Sequence, residues 1–326
     1  MSRKRSFLPL LIVSVLSAQH LLVNVYAKRY RSDLRIRKEF TSMSYHERRK
    51  FVNAYKIAST QQPFKRRYDY LVRLHQTLFK KVHSQKHFFP WHRWYLLQFE
   101  NLFRYIHKDV TLPYWDWSIA GERIWATDTG SIWSKKSWGL GGNGKGLFHC
   151  VKDGPFSVYK WRLARHSGGG CLKRNFKGRM PNCRHVQRTL LLKPTQFKRF
   201  EDIVQDTYHN ELHCCIRGTM ELPKASNTPE FLLHHAFIDK IWYDWQKNGI
   251  RYKWAINDDL NSHLERSRYK VGDFMDYNDL GDRGVVLKYR DPFPGYKALC
   301  LKLSSPLVGK TSGWCCEDDE KEKNRH

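Results

Sequence analysis

The chain has 326 residues, 41% hydrophobic and 14% aromatic, enough for one large core, and it carries a formal net charge of +27. Beyond the first 27 residues no apolar run approaches the length of a bilayer crossing, which argues against a transmembrane protein. So large a positive excess points to acidic partners, namely polyanionic matrix, polysaccharide or a membrane surface.

In chain order, Arg3, Lys4 and Arg5 precede an apolar run from Phe7 to Ala18, and Val25-Tyr26-Ala27 offers a small-residue cleavage site before Lys28. This layout predicts a signal peptide over residues 1–27 and a secreted, extracellular protein without a membrane anchor. Secretion also argues against a specific nucleic-acid partner, which the charge alone would admit. Eight cysteines, all from Cys150 onward, agree with an oxidising compartment and predict disulfides whose pairing the sequence leaves open. Residues 28–64 form a basic N-terminal segment with helical pieces around Tyr45–Ile57. There His46, among Glu47, Arg48 and Arg49, reads as part of a solvated face.

A helix follows with Tyr68, Leu71, Val72, His75 and Phe79 on one side. His83 lies in the loop beyond it. Pro90 is suited to the first position of the next helix, where a missing N–H costs nothing. From there His92, Leu96, Phe99, Phe103 and Ile106 recur with helical period as one apolar stripe. Leu112-Pro113-Tyr114-Trp115-Asp116-Trp117 ends that helix, with Asp116 expected to accept hydrogen bonds from backbone or indole N–H groups. Residues 118–196 read as a Gly-rich irregular excursion stapled by cysteines, and 151–200 hold thirteen Lys or Arg against Asp153 alone.

Helix resumes over Phe197 to Ile216, with Asp202, Asp206, His209 and His213 predicted on one face. His209 and His213, one turn apart, aim two imidazoles at one point. Pro229 opens another helix whose stripe reads Phe231, His235, Ile238, Trp242 and Trp245, with His234 not excluded as the inward histidine. Further on, residues 284–289 and 300–303 read as strands, and the tail from Glu317 is charged. Two groups of three histidines argue for two metals facing each other. Imidazole ligation alone admits copper, zinc, iron or nickel.

These segments resemble the type-3 copper proteins, which comprise tyrosinases, catechol oxidases and molluscan-type haemocyanin units. The likeness rests on His83 with Phe89-Pro90-Trp91-His92-Arg93-Trp94-Tyr95-Leu96 and on Leu112-Pro113-Tyr114-Trp115-Asp116-Trp117. It rests equally on His209-Asn210-Glu211-Leu212-His213, Gly218-Thr219-Met220 and Phe231-Leu232-Leu233-His234-His235. The resemblance implies a mainly α fold, a four-helix bundle holding a dinuclear copper centre, with long disulfide-stapled loops and a few short C-terminal strands. It implies a tyrosinase copper-binding domain over 65–250, followed by an extension over 251–326. Two copper ions would be held by His75, His83 and His92 (copper A) and by His209, His213 and His235 (copper B), with dioxygen as co-substrate.

The activity implied is oxidation of phenolic or catecholic substrates, including protein tyrosine, to o-quinones for pigment or matrix cross-linking. A catalytically silent matrix protein and a haemocyanin-like dioxygen binder are the alternatives. Several positions depart from the family pattern. The loop between His75 and His83 is short, which makes His46 the fallback first ligand. Lys81 stands where some relatives carry a cysteine linked to an imidazole, Thr228 precedes Pro229, and Cys214-Cys215 directly follow His213. Asn210 is associated in the family with an acid that orients a water, for which Glu201, Asp202 and Asp206 are the candidates.

Overall fold

The computed structural model describes residues 33–83, 87–281 and 284–303. The expected signal peptide, Cys315, Cys316 and the charged tail lie outside the described residues. Among those described, no helix is long and apolar enough to cross a membrane.

The chain begins with β1 (Asp33–Arg37), then α1 (Tyr45–Thr60), α2 (Phe64–Val82) and α3 (Phe88–Ile106). Ser44 and Glu47 close a capping box at the start of α1: the Ser44 hydroxyl accepts from the Glu47 amide, and the Glu47 carboxylate accepts from the Ser44 amide. α3 starts two residues before the expected Pro90. Proline is tolerated at this third position because first-turn amides have no helical acceptor. The excursion holds the short hairpin β2 (Gly144–Lys145) and β3 (Cys150–Val151) and one helix, α4 (Cys183–Thr189).

Next, α5 (Phe197–Asp202) runs through a π-helical stretch, Ile203–Asn210, into α6 (Glu211–Ile216). α7 (Pro229–Gln246) starts at its proline as expected, but all eighteen residues are buried rather than one stripe. α8 (Ile250–Lys253), β4 (Val285–Tyr289) and α9 (Tyr296–Lys302) complete the described chain. The strand expected at 300–303 is therefore the end of a helix. Cys300 and Tyr296 lie one turn apart on its buried side, where Cys300 bonds to Cys183 and the Tyr296 hydroxyl donates to Asp116 at 2.5 Å. That is the acceptor role expected of Asp116, filled by Tyr296 and Ser118 rather than by an indole.

The bundle is α2, α3, the α5–π–α6 run and α7, with α1 against α2 and α3. β1 and β4 pair in parallel from Asp33↔Val285 to Arg37↔Tyr289, tying the two flanks together. Beside them a buried ionic group joins α3 to α7. Arg37 donates to Glu100 and Asp239, Arg93 donates to Asp239 at 2.7 Å, and both guanidiniums are fully buried. Disulfides link Cys150 to Cys171 and Cys183 to Cys300, stapling the excursion as expected. Cys214 and Cys215 are disulfide-bonded as well, so no described cysteine is a free thiol beside the histidines.

Candidate dinuclear metal centre

Seven histidines converge in the bundle. His75 comes from the middle of α2 and His83 caps its end, while His92 sits in the second turn of α3. His209 is the penultimate residue of the π-helical stretch, His213 lies on α6, and His234 and His235 lie on α7. The wide π turn separates the acids from the histidines. Asp206 is exposed whereas His209 is buried, so the four residues predicted on one face do not share it. His46 is exposed on α1 and joins no cluster, whereas His75 is buried within it.

Ligand atoms of His75, His83 and His92 lie within 4.8 Å of one another. The same holds for His83, His209 and His235, and for His209, His213 and His234. The sets face each other, with the rings of His92 and His235 stacked at 4.6 Å and those of His83 and His209 at 5.3 Å. Phe231 packs 4.1 Å from His235 and 4.8 Å from His75, and Phe88 packs 4.8 Å from His92 and 5.2 Å from His209. These two buried rings exclude water from the imidazole faces.

Five of the imidazoles have an oxygen partner for their Nδ1. His83 bonds through it to the Phe79 carbonyl at 2.8 Å, His92 to Phe88 at 2.7 Å, His213 to Met220 at 2.6 Å and His75 to Pro223 at 3.4 Å. His209 uses Nδ1 toward the Asn210 side-chain oxygen at 2.8 Å, and Asn210 in turn donates to Asp206 at 3.5 Å. A carbonyl only accepts, so Nδ1 carries the proton and Nε2 keeps its lone pair. Nε2 of His75, His92 and His213 is buried without a hydrogen-bond partner, as is Nδ1 of His235. An unpartnered buried nitrogen is costly unless something else binds it. Nε2 of His209 and His235 are 3.2 Å apart. Two nitrogens on one tetrahedral metal at about 2.0–2.1 Å stand roughly 3.3 Å apart, so this gap suits a shared ion.

Burial pushes His83 and His213 down to about 4 and holds His75, His92, His209, His234 and His235 well below the ordinary imidazole value. Neighbouring imidazoles push most of them the same way. All are therefore neutral at physiological pH, the form that binds metal. His234 is spent differently: Nε2–H donates to the His209 carbonyl at 3.2 Å, and Nδ1 accepts from the Trp117 indole at 3.4 Å. Trp117 and His234 thus form a strut under His209 that the sequence pattern did not reveal.

Of the three candidate acids only Asp206 touches Asn210. Asp202 pairs with Lys198 on the surface, and Glu201 is partly buried, its carboxyl pushed up to about 7 chiefly by burial. Lys81 ion-pairs with Glu265 at 3.7 Å, away from His83. The 670 Å³ groove lined by Arg35, Phe64, Tyr105 and Tyr269 lies elsewhere and contains none of the histidines.

Touching sets of largely buried, neutral imidazoles on a helical bundle define a dinuclear metal protein. Residues 65–248 match the family model described as the common central domain of tyrosinase. A tyrosinase of Streptomyces lincolnensis is 31% identical over 241 residues, covering 65% of this chain and 82% of its own. One from Streptomyces glaucescens is 30% identical with the same coverage. Among solved structures, a polyphenol oxidase from Thermothelomyces thermophila covers 84% of this chain and 94% of its own, with TM-score 0.61 and 20% identity. A haemocyanin from Rapana thomasiana covers 80% and 70%, with TM-score 0.55 and 21% identity; both likenesses concern the fold. The chain belongs to the tyrosinase family: it is a copper oxidoreductase of the tyrosinase type, with a dinuclear copper centre that uses dioxygen.

Proposed function

We propose that this chain is a secreted phenol oxidase, with His75, His83 and His92 holding copper A and His209, His213 and His235 holding copper B. One observation carries the reading: the Nδ1 atoms of five imidazoles are tied to oxygen acceptors, which leaves their Nε2 lone pairs for two adjoining metals. Donor bookkeeping favours His235 over His234, since both nitrogens of His234 are engaged. Copper bound there supplies the electron transfer between a phenol and dioxygen. Two catechols give up four electrons and four protons, reducing one dioxygen to two waters and leaving two o-quinones.

The protein's own part is placement. Carbonyl and amide oxygens fix the ring planes, as outer-shell partners do in metal sites generally. Phe88 and Phe231 keep the imidazole faces dry. His83 and His213 retain partial exposure, which favours approach of a substrate ring from their side. Asp206, bonded to Asn210 beside His209, is the best-placed acid to hold a water that takes the phenol proton. Substrates of this reading are small phenols, catechols or protein tyrosine, with hydroxylation of monophenols included. The quinones then couple to amines and thiols as pigment or cross-linked matrix.

The division into a removable leader 1–27, a basic flank 28–64, a copper-binding unit 65–250 and an extension 251–326 belongs to the same proposal. Disulfides and the leader pattern support secretion, and the net charge of +27, which becomes +24 when the leader's Arg3, Lys4 and Arg5 are removed, supports retention on acidic extracellular polysaccharide. The test is quinone formation from L-DOPA and from L-tyrosine by the purified protein, with and without a copper chelator. Chelator-sensitive turnover is expected. Copper binding without turnover would mark a dioxygen carrier, and absence of both would mark a silent matrix protein; either result overturns the oxidase reading.

A further inference from the structure

The hairpin β2–β3 ends in a four-residue tip, Gly146-Leu147-Phe148-His149. Leu147 is 87% exposed, the most open large hydrophobic side chain among the described residues, and its neighbour Phe148 is 68% exposed. Single exposed apolar residues are ordinary, but two adjacent ones at the apex of a braced turn are not. Exposed lysines surround them. Lys145 precedes the tip, the Lys152 ammonium lies against Gly146, and the Lys173 ammonium is 6.0 Å from the Phe148 ring centroid.

The root of the hairpin is rigid. Cys150 is bonded to Cys171, and the strand-like segment at Leu172–Arg174 hydrogen-bonds to both arms. Gly144 admits no side chain, since a Cβ there would fall 1.9 Å from the His149 carbonyl oxygen. Arg174, fully buried, donates to the carbonyls of Leu140, Gly141 and Gly142 and pairs with Glu230 in the first turn of α7. The apolar tip is thus held in water by a frame anchored to the helix that carries His235, so a binding event need not order the hairpin backbone.

We propose that this hairpin is a membrane-docking tip, inserting Leu147 and Phe148 into the interfacial layer of an anionic lipid bilayer while Lys145, Lys152 and Lys173 meet the headgroups. Charge alone would serve a polysaccharide equally, but a polysaccharide offers no apolar layer for Leu147 and Phe148. A lipid surface satisfies both halves of the motif, the buried apolar area and the cationic ring. Docking there would hold the chain at a bilayer, where apolar phenols partition. The inference does not rest on the copper assignment.

The test uses the full-length copper-loaded protein in sedimentation with phosphatidylcholine vesicles that carry phosphatidylserine as the anionic lipid, and with pure phosphatidylcholine. The chain should bind the anionic vesicles, and the double variant L147S/F148S should bind about a hundredfold less tightly. Replacing Lys145, Lys152 and Lys173 by Gln should weaken binding about fivefold per lysine. The L147S/F148S variant should keep its melting temperature and its affinity for a sulfated polysaccharide, which separates tip insertion from unfolding and from the polyanion reading. No binding of the parent chain to anionic vesicles would overturn the proposal. So would unchanged vesicle binding by L147S/F148S, which would leave charge alone as the cause.

Discussion

Replacing Asp239 by asparagine tests whether the charges buried between α3 and α7 hold the bundle together. Asp239 lies one turn beyond His235 and is only 3% exposed. It accepts from Arg93 Nε at 2.7 Å, Arg37 Nη1 at 3.2 Å and the Tyr289 hydroxyl at 2.6 Å. Glu100, bonded to Arg37 at 3.2 and 3.3 Å, is the other carboxylate of the group. Asparagine keeps the shape and one acceptor but removes a charge that compensates two guanidiniums with no exposure to water. Uncompensating a buried pair costs about 3–5 kcal/mol. At roughly 2 °C per kcal/mol for a chain of this length, the melting temperature should fall by about 6–10 °C.

The control is Asp202→Asn, which breaks an exposed pair with Lys198 worth about 0–1 kcal/mol. Calorimetry of both variants in copper-free form, supported by urea midpoints, reads the difference without the metal's contribution. A shift for Asp239→Asn no larger than that of the control would refute the structural role given to the ionic group.

Three further outcomes follow from particular residues. Asn210→Ala removes the acceptor of His209 Nδ1–H and should weaken the second copper site about 10–100-fold in competition with a chelator; unchanged affinity would sever Asn210 from that site. Burial raises the Glu39 carboxyl to about 7 from 4.5, so the folded state binds its proton more tightly than the unfolded chain. The stability this contributes is full below about 4.5 and lost as pH rises through about 7, a change of at most about 3 kcal/mol. Glu39→Gln should flatten the urea midpoint over that window, and an identical slope in both proteins would contradict the burial argument. Neutralising the exposed Arg162, Arg165, Lys177 and Arg179 should weaken binding to acidic polysaccharide and its salt dependence while catechol oxidation persists, because exposed charges are screened within about 10 Å at 0.1 M salt. Binding that ignores salt would assign the excess charge to solubility.

The histidine clusters were legible because their signals are local. His209 and His213 lie one turn apart, Pro229 marks the start of α7, and His92 sits on an apolar stripe, all within single helices. Longer-range features left no such trace. β1 and β4 lie some 250 residues apart, and neither announces a parallel partner. Arg93 and Asp239 look like surface charges on amphipathic helices until a second helix buries them against each other. The alternation at 300–303 resembles a strand locally; the Cys183 disulfide and the Asp116–Tyr296 hydrogen bond, both tertiary, accompany the helix instead. The π-helical stretch was invisible because a widened turn leaves hydrophobic spacing nearly unchanged, yet along it His209 is buried while Asp206 is exposed. His234 and His235 differ only in what their nitrogens meet, and adjacent identical residues carry no sequence mark of that.

The most direct test of the account is copper content per chain, measured by elemental analysis on the purified protein and on His92→Ala and His213→Ala. The six imidazoles proposed as ligands, in two sets, predict about two coppers per parent chain, and removing one of three should empty the set that loses it. Each variant should therefore hold about one copper and lose catechol oxidation. Full copper content with full activity in either variant would contradict the assignment of these histidines as ligands.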